Sequence, residues 1–147
     1  MAVPQVMIEL TSSHSSLSGL DLGTRRTFQG KSYVLVEVNT GITVVAGNAL
    51  YYTGTANKVT TTAAKNTFAG IAQCGAAEGT YIWIQDKGMF SGVTHGGSII
   101  SGTVIIAGAN TKLACYATAG VALTERPLGV WLAAAATAGV TAYGYLH

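Results

Sequence analysis

The chain has 147 residues, enough for one domain with a sizeable core. It is 49% hydrophobic but only 10% charged, where about 25% is usual for soluble domains, so much of its exterior is expected to be covered by further copies of itself or by a partner. The net charge of +2 comes from dispersed lysines with only Arg25 and Arg26 adjacent, which lacks the cation cluster a duplex-binding surface needs and sets nucleic acid aside as a partner.

Met1-Ala2-Val3-Pro4-Gln5-Val6-Met7-Ile8-Glu9 has no cationic start and no continuous apolar run, so it does not read as a secretory signal. Residues 1–30 read as an extended N-terminal arm. Its later part is rich in Ser, Thr and Gly, with Thr11-Ser12-Ser13-His14-Ser15-Ser16 at the centre. Val3, Val6, Met7, Ile8 and Leu10 are apolar anchors along a polar segment, suited to ordering in a groove of a partner rather than to folding back on their own domain. The β domain occupies residues 31–147. Its first strand, 31–38, turns Val34, Val36 and Val38 one way and Tyr33, Leu35 and Glu37 the other. After the Thr40-Gly41 turn, further strands are expected over 49–52, 58–62, 68–73, 80–85, 89–93, 98–106, 112–116, 128–132 and 140–146. The 19 glycines, against 2 prolines, fall mostly between these runs, where turns need positive φ. Residues 133–138 are the one helix candidate, and with glycines close on both sides they read as a loop.

The second half of the chain repeats the first. Gly47-Asn48-Ala49-Leu50 leads through Asn57-Lys58-Val59 and Phe68-Ala69-Gly70-Ile71-Ala72 to Gly79-Thr80-Tyr81-Ile82-Trp83-Ile84. Gly102-Thr103-Val104-Ile105 leads in the same order through Thr111-Lys112-Leu113 and Pro127-Leu128-Gly129-Val130-Trp131 to Gly139-Val140-Thr141-Ala142-Tyr143. The predicted fold is therefore all-β, a small sandwich or barrel built from two related β units at about 42–86 and 98–146. The uncharged stretch 128–146 is long enough to span a bilayer, but its Ala, Gly and Thr content and Gly129, Gly139 and Gly144 fit strands and a turn, so no membrane span is expected.

Catalytic chemistry finds no foothold. Glu9, Asp21, Glu37, Glu78, Asp86 and Glu125 are spread singly, and His14, His95 and His147 have no metal-ligand spacing around them. No Gly-x-Ser-x-Gly occurs, and Cys74 has no local base. Cys74 and Cys115 read as two free, buried thiols, with a single long-range disulfide as the alternative. No enzyme activity, cofactor or metal is expected. Tyr51, Tyr52, Tyr81, Trp83, Trp131, Tyr143 and Tyr145 suggest either packing in a sandwich or subunit interface, or an exposed carbohydrate platform; the alternation of Tyr81 and Trp83 with Ile82 and Ile84 favours packing.

The strand at 31–38, Val45-Ala46-Gly47-Asn48-Ala49-Leu50, Phe68-Ala69-Gly70-Ile71-Ala72, Gly79-Thr80-Tyr81-Ile82-Trp83-Ile84-Gln85 and Leu128-Gly129-Val130, preceded by Leu22-Gly23-Thr24-Arg25-Arg26-Thr27-Phe28, resemble the small head decoration (cement) proteins of tailed phages. The resemblance covers roughly residues 20–146. It implies a non-enzymatic virion protein on the capsid exterior, a homo-oligomer and commonly a trimer, whose partner is the major capsid protein. On that reading Val3, Val6, Met7, Ile8, Leu10, Arg25 and Arg26 are the capsid-binding residues of the arm. A carbohydrate-binding or fibre-type β module on a virion is the alternative.

Overall fold

Gln29 and Gly30 both take positive φ, 49° and 75°, the combination that lets a two-residue turn join two twisted strands. They join β1 (Arg25–Phe28) to β2 (Lys31–Val38), with Phe28 opposite Lys31. The structure is a computed structural model and describes residues 9–17, 19–64, 66–91, 101–108, 112–116, 127–132 and 142–147. It is almost entirely β. After β2 come β3 (Ala49–Tyr52), β4 (Lys58–Thr60), β5 (Phe68–Ala72), β6 (Tyr81–Ser91), β7 (Val104–Ala107), β8 (Leu113–Tyr116), β9 (Gly129–Trp131) and β10 (Tyr143–Leu146). The helix candidate at 133–138 lies outside the described residues.

All these strands form one sheet, ordered β1-β2-β4-β3-β5-β6-β10-β9-β7-β8, with β2 also paired to β6. That extra pairing closes β2, β4, β3, β5 and β6 into a ring, a small barrel in which β2 runs parallel to β4 and antiparallel to β6. Val34, Val36, Val38, Leu50, Val59, Ile82 and Ile84 fill it, each 2% exposed or less. Tyr33, Leu35 and Trp83 point to the outer side, where they are buried under other chain. The alternation along β2 is thus an inside-outside division of a barrel wall.

The two halves share one topology. The order β4-β3-β5-β6 in the first is matched by β8-β7-β9-β10 in the second, antiparallel throughout. Their registers coincide: Leu50 faces Gly70 as Ile105 faces Gly129, and Ala72 faces Ile84 as Trp131 faces Gly144. The amides of Gly47 and Gly102 donate to the carbonyls of Ala72 and Trp131, at 2.9 and 2.7 Å.

The structural repeat is longer than the sequence match. Residues 80–85 and 89–93 read as separate strands, but residues 81–91 form the single strand β6, which continues through Gly88 at φ +97°. The first part of β6 ends the first unit. Its last four paired residues, Gly88 to Ser91, lie antiparallel along β10 as β2 lies along the first part of β6. Phe90 faces Gly144 where Val34 faces Ile84, Ser91 faces Tyr143 where Leu35 faces Trp83, and Met89 faces Tyr145 where Tyr33 faces Gln85.

The second half seats its inner side, Phe90, Ile105, Leu113, Trp131 and Leu146, on the outer wall of the barrel at Ala49, Tyr51 and Ile71. Tyr51 Oη donates to the Lys112 carbonyl at 3.0 Å across this seam, and the Phe90 and Trp131 rings meet edge to face at 5.6 Å.

Gly70 and Gly129 occupy equivalent places where strand meets strand. A Cβ on Gly70 would lie 2.6 Å from the Gln85 carbonyl oxygen, and one on Gly129 would lie 2.8 Å from the Tyr145 carbonyl carbon with the oxygen closer still. Gly129→Ala is expected to cost at least about 3 kcal/mol and Gly70→Ala about 2 kcal/mol, while Gly54→Ala, at an open site, changes stability by less than about 0.5 kcal/mol. Urea denaturation of the three variants checks the ranking.

Candidate functional site

Residues 9–17 and 19–28 are packed against the barrel, contrary to the expectation of an extended arm. The amide and carbonyl of His14 exchange hydrogen bonds with the carbonyl and amide of Tyr81, both at 2.8 Å, which pins the segment to the start of β6. Leu10, 1% exposed, joins Tyr33, Leu35 and Trp83, with Leu17, Leu20, Leu22 and Phe28 around them. The physical reason is the outer wall of the barrel. Tyr33, Leu35 and Trp83 would be left in water without a cover, and the leucines of residues 10–22 supply it.

Leu10, expected to anchor a partner, is therefore part of this chain's own core. Arg25 and Arg26, on β1, are both ion-paired within the chain, Arg25 with Asp86 and Arg26 with Glu9. The Arg26 guanidinium also lies 5.0 Å over the Trp83 ring. Arg25 remains more than half exposed, so its head is still available to solvent or a partner. Val3, Val6, Met7 and Ile8 lie outside the described residues.

Between the segment and the barrel wall runs a cleft of about 360 Å³, with Glu9, His14 and Arg26 at its polar side and Leu17, Leu20 and Trp83 at its apolar side. His14 Nε2 donates to the Glu9 carbonyl at 2.9 Å. Arg26 is ion-paired with Glu9, so the polar groups of the cleft hold one another and the segment in place. Among the described residues no group of three His, Cys, Asp or Glu side chains comes together to hold a metal ion. His95 lies outside them. Cys74 is a free thiol and half-buried, more accessible than expected, and its pKa is raised by burial.

The aromatic residues divide clearly. Tyr51, Trp83 and Trp131 are buried, whereas Tyr143 and Tyr145 stand about half exposed on β10 beside Met89 of β6. Sequence reasoning grouped all of them together, because alternation identifies a face but not what covers it. It also missed β1, although Gln29-Gly30 between two short runs is a hairpin signal.

Neither a protein-family model nor a curated protein matches the sequence. Among solved structures, the chain is similar to the head fiber gp8.5 N base of bacteriophage phi29. The two are 16% identical, with a TM-score of 0.56 over 78% of this chain and 92% of that one. The likeness is one of fold.

Leu10→Ala is expected to lower stability by about 3 kcal/mol, as for a buried leucine, rather than the near-zero change of an exposed anchor; chemical denaturation distinguishes them. Because burial raises the Cys74 pKa, its thiolate fraction at pH 8 is below that of the unfolded chain. Alkylation of Cys74, followed by peptide mass spectrometry, should accordingly be slower in the folded protein and speed up as pH rises.

Proposed function

We infer that this chain is a structural protein of a phage virion that binds the outer surface of an icosahedral head as a decoration or cement protein. The observation that carries the reading is the likeness of fold, over 78% of this chain and 92% of the other, to the base of a phage head fiber. The scarcity of charge, 10% of residues, supports an exterior shared with other subunits. In this role the protein is a homo-oligomer, in keeping with a trimer, its partner is the major capsid protein, and it carries no catalytic activity, metal or cofactor. It engages neither nucleic acid nor membrane.

The physics of the role is linkage. A protein that binds the assembled lattice better than free coat subunits adds its binding free energy to the stability of the shell, and several linked copies multiply the effect through effective concentration. Val3, Val6, Met7 and Ile8 are the arm residues assigned to capsid contact, with the exposed head of Arg25 beside them in role. A second reading, a fibre-type module whose β domain forms the base of a projecting fibre, is favoured by the description of the same neighbour. Its carbohydrate-binding form has less support, since Trp83 and Trp131 are buried.

Incubation of the purified chain with expanded heads and with free coat subunits, followed by gradient sedimentation, is expected to place it with the heads alone. Equal binding to free subunits, or none to heads, would count against a cement role. Removal of residues 1–8 is expected to weaken attachment about tenfold, about 1.4 kcal/mol. Head occupancy unchanged by the truncation would move the contact to the β domain. Light scattering at micromolar concentration should give a mass well above the 15.0 kDa of a single chain, and a monodisperse 15.0 kDa species would count against a homo-oligomer.

A further inference from the structure

The two halves differ in what covers them. In the first, the outer wall made by β2 and the start of β6 carries Tyr33, Leu35 and Trp83, all 5% exposed or less beneath residues 9–28. In the second, the equivalent wall is made by the end of β6 and by β10, with Met89 in the place of Tyr33, Ser91 in that of Leu35 and Tyr143 in that of Trp83. Among the described residues this wall has no such cover: Met89 is 53%, Tyr143 48%, Tyr145 44% and neighbouring Leu132 49% exposed. Cross-strand pairing sets Met89, Tyr145, Val130 and Val104 side by side on one face, and the Leu132 amide donates to the Tyr143 carbonyl at 3.0 Å next to them.

We propose that this face, centred on Met89, Tyr143 and Tyr145, is where one copy of the chain packs against another. The proposal rests on the self-association reading above and gives it a location. At roughly 200 Å² per large side chain, four half-exposed residues present about 400 Å², within the size range of the largest functional patch on a monomer and about half of the ~800 Å² that one side of a standard interface contributes. The half-buried Val104 and Val130 extend the patch, while the exposed Lys87, Ser91 and His147 lie around it, an apolar centre with a polar rim. The aliphatic members, Met89, Leu132 and Val130, suit a protein surface better than a sugar ring. None of the residues on the face itself carries a formal charge that a second copy would have to bury unpaired.

The test uses sedimentation velocity of the full chain. The unsubstituted protein is expected to be oligomeric at micromolar concentration. A Met89→Lys, Tyr145→Lys double variant should sediment as the 15.0 kDa monomer or associate about a hundredfold more weakly. Val45→Lys, at a position 60% exposed on the first unit, should keep the oligomer. An oligomer unaffected by the double substitution overturns the assignment while leaving self-association intact. A variant that stays oligomeric but no longer binds expanded heads gives the face to the capsid and likewise overturns it. A monomeric unsubstituted chain overturns both this inference and the self-association reading. Hydroxyl-radical footprinting of the unsubstituted chain covers the case of a misfolded variant. Oxidation of Met89 and Tyr145 should fall about tenfold as concentration crosses the association midpoint, and oxidation that stays constant rejects the proposal.

Discussion

Strand β6 is the element on which the rest of the molecule depends. Its first part is paired on both edges, with β2 on one side and β5 on the other, and its last four residues carry β10 and with it the second half of the sheet. One stretch of backbone thus closes a barrel and founds a second unit. The change of role falls at Gly88, and it is held by a buried side chain: Gln85 Nε2 donates to the Lys87 carbonyl at 3.2 Å and to the Met89 carbonyl at 2.8 Å. A buried backbone acceptor left unpaired costs about 1–3 kcal/mol, so these two donations from a buried amide favour the arrangement at Gly88.

Around that strand the two units solve the same packing problem with different volumes. Where the first places Val34 opposite Ile84, two branched residues of middling size, the second places Phe90 opposite Gly144, and a Cβ on Gly144 would run into the Phe90 ring. Where the first has Ala72 the second has Trp131, fully buried. The backbone register is kept while side-chain volume shifts across the pair, as close packing demands when one member grows. The larger residues of the second unit fill the seam against Tyr51 and Ile71, so the difference between the units is also what joins them.

Much of this was legible in the sequence. The valines of β2 alternate because a barrel wall has two sides, and Phe68-Ala69-Gly70-Ile71-Ala72 could be matched to Pro127-Leu128-Gly129-Val130-Trp131 because the two segments hold the same register position in the two units. Other features depended on partners far along the chain. Arg-Arg-Thr-Phe has no strand-like alternation of apolar residues; it becomes β1 because it pairs with β2 and because Arg25 reaches Asp86, 61 residues away. Leu10, Leu17, Leu20 and Leu22 follow no period, and their burial is set by the wall that Tyr33, Leu35 and Trp83 present. Asp86-Lys87-Gly88 has the composition of a turn, and only the side-by-side placement of β2 and β10 along one strand makes it a continuation.

Closure of the ring through the antiparallel pairing of β2 with β6 has a consequence for colloidal behaviour. An open sheet ends in rows of unpaired amides and carbonyls that can recruit strands from other molecules, and a chain with few charges has little repulsion to prevent it. Here the strands of the first unit satisfy one another around the barrel, and the sheet order ends, among the described residues, at β1 and β8. The β1 end is short and carries two adjacent arginines, the kind of charged edge that resists strand-to-strand aggregation. A weakly charged protein can in this way remain dispersed at high concentration, because the backbone of its described residues offers few places for uncontrolled β-pairing to begin.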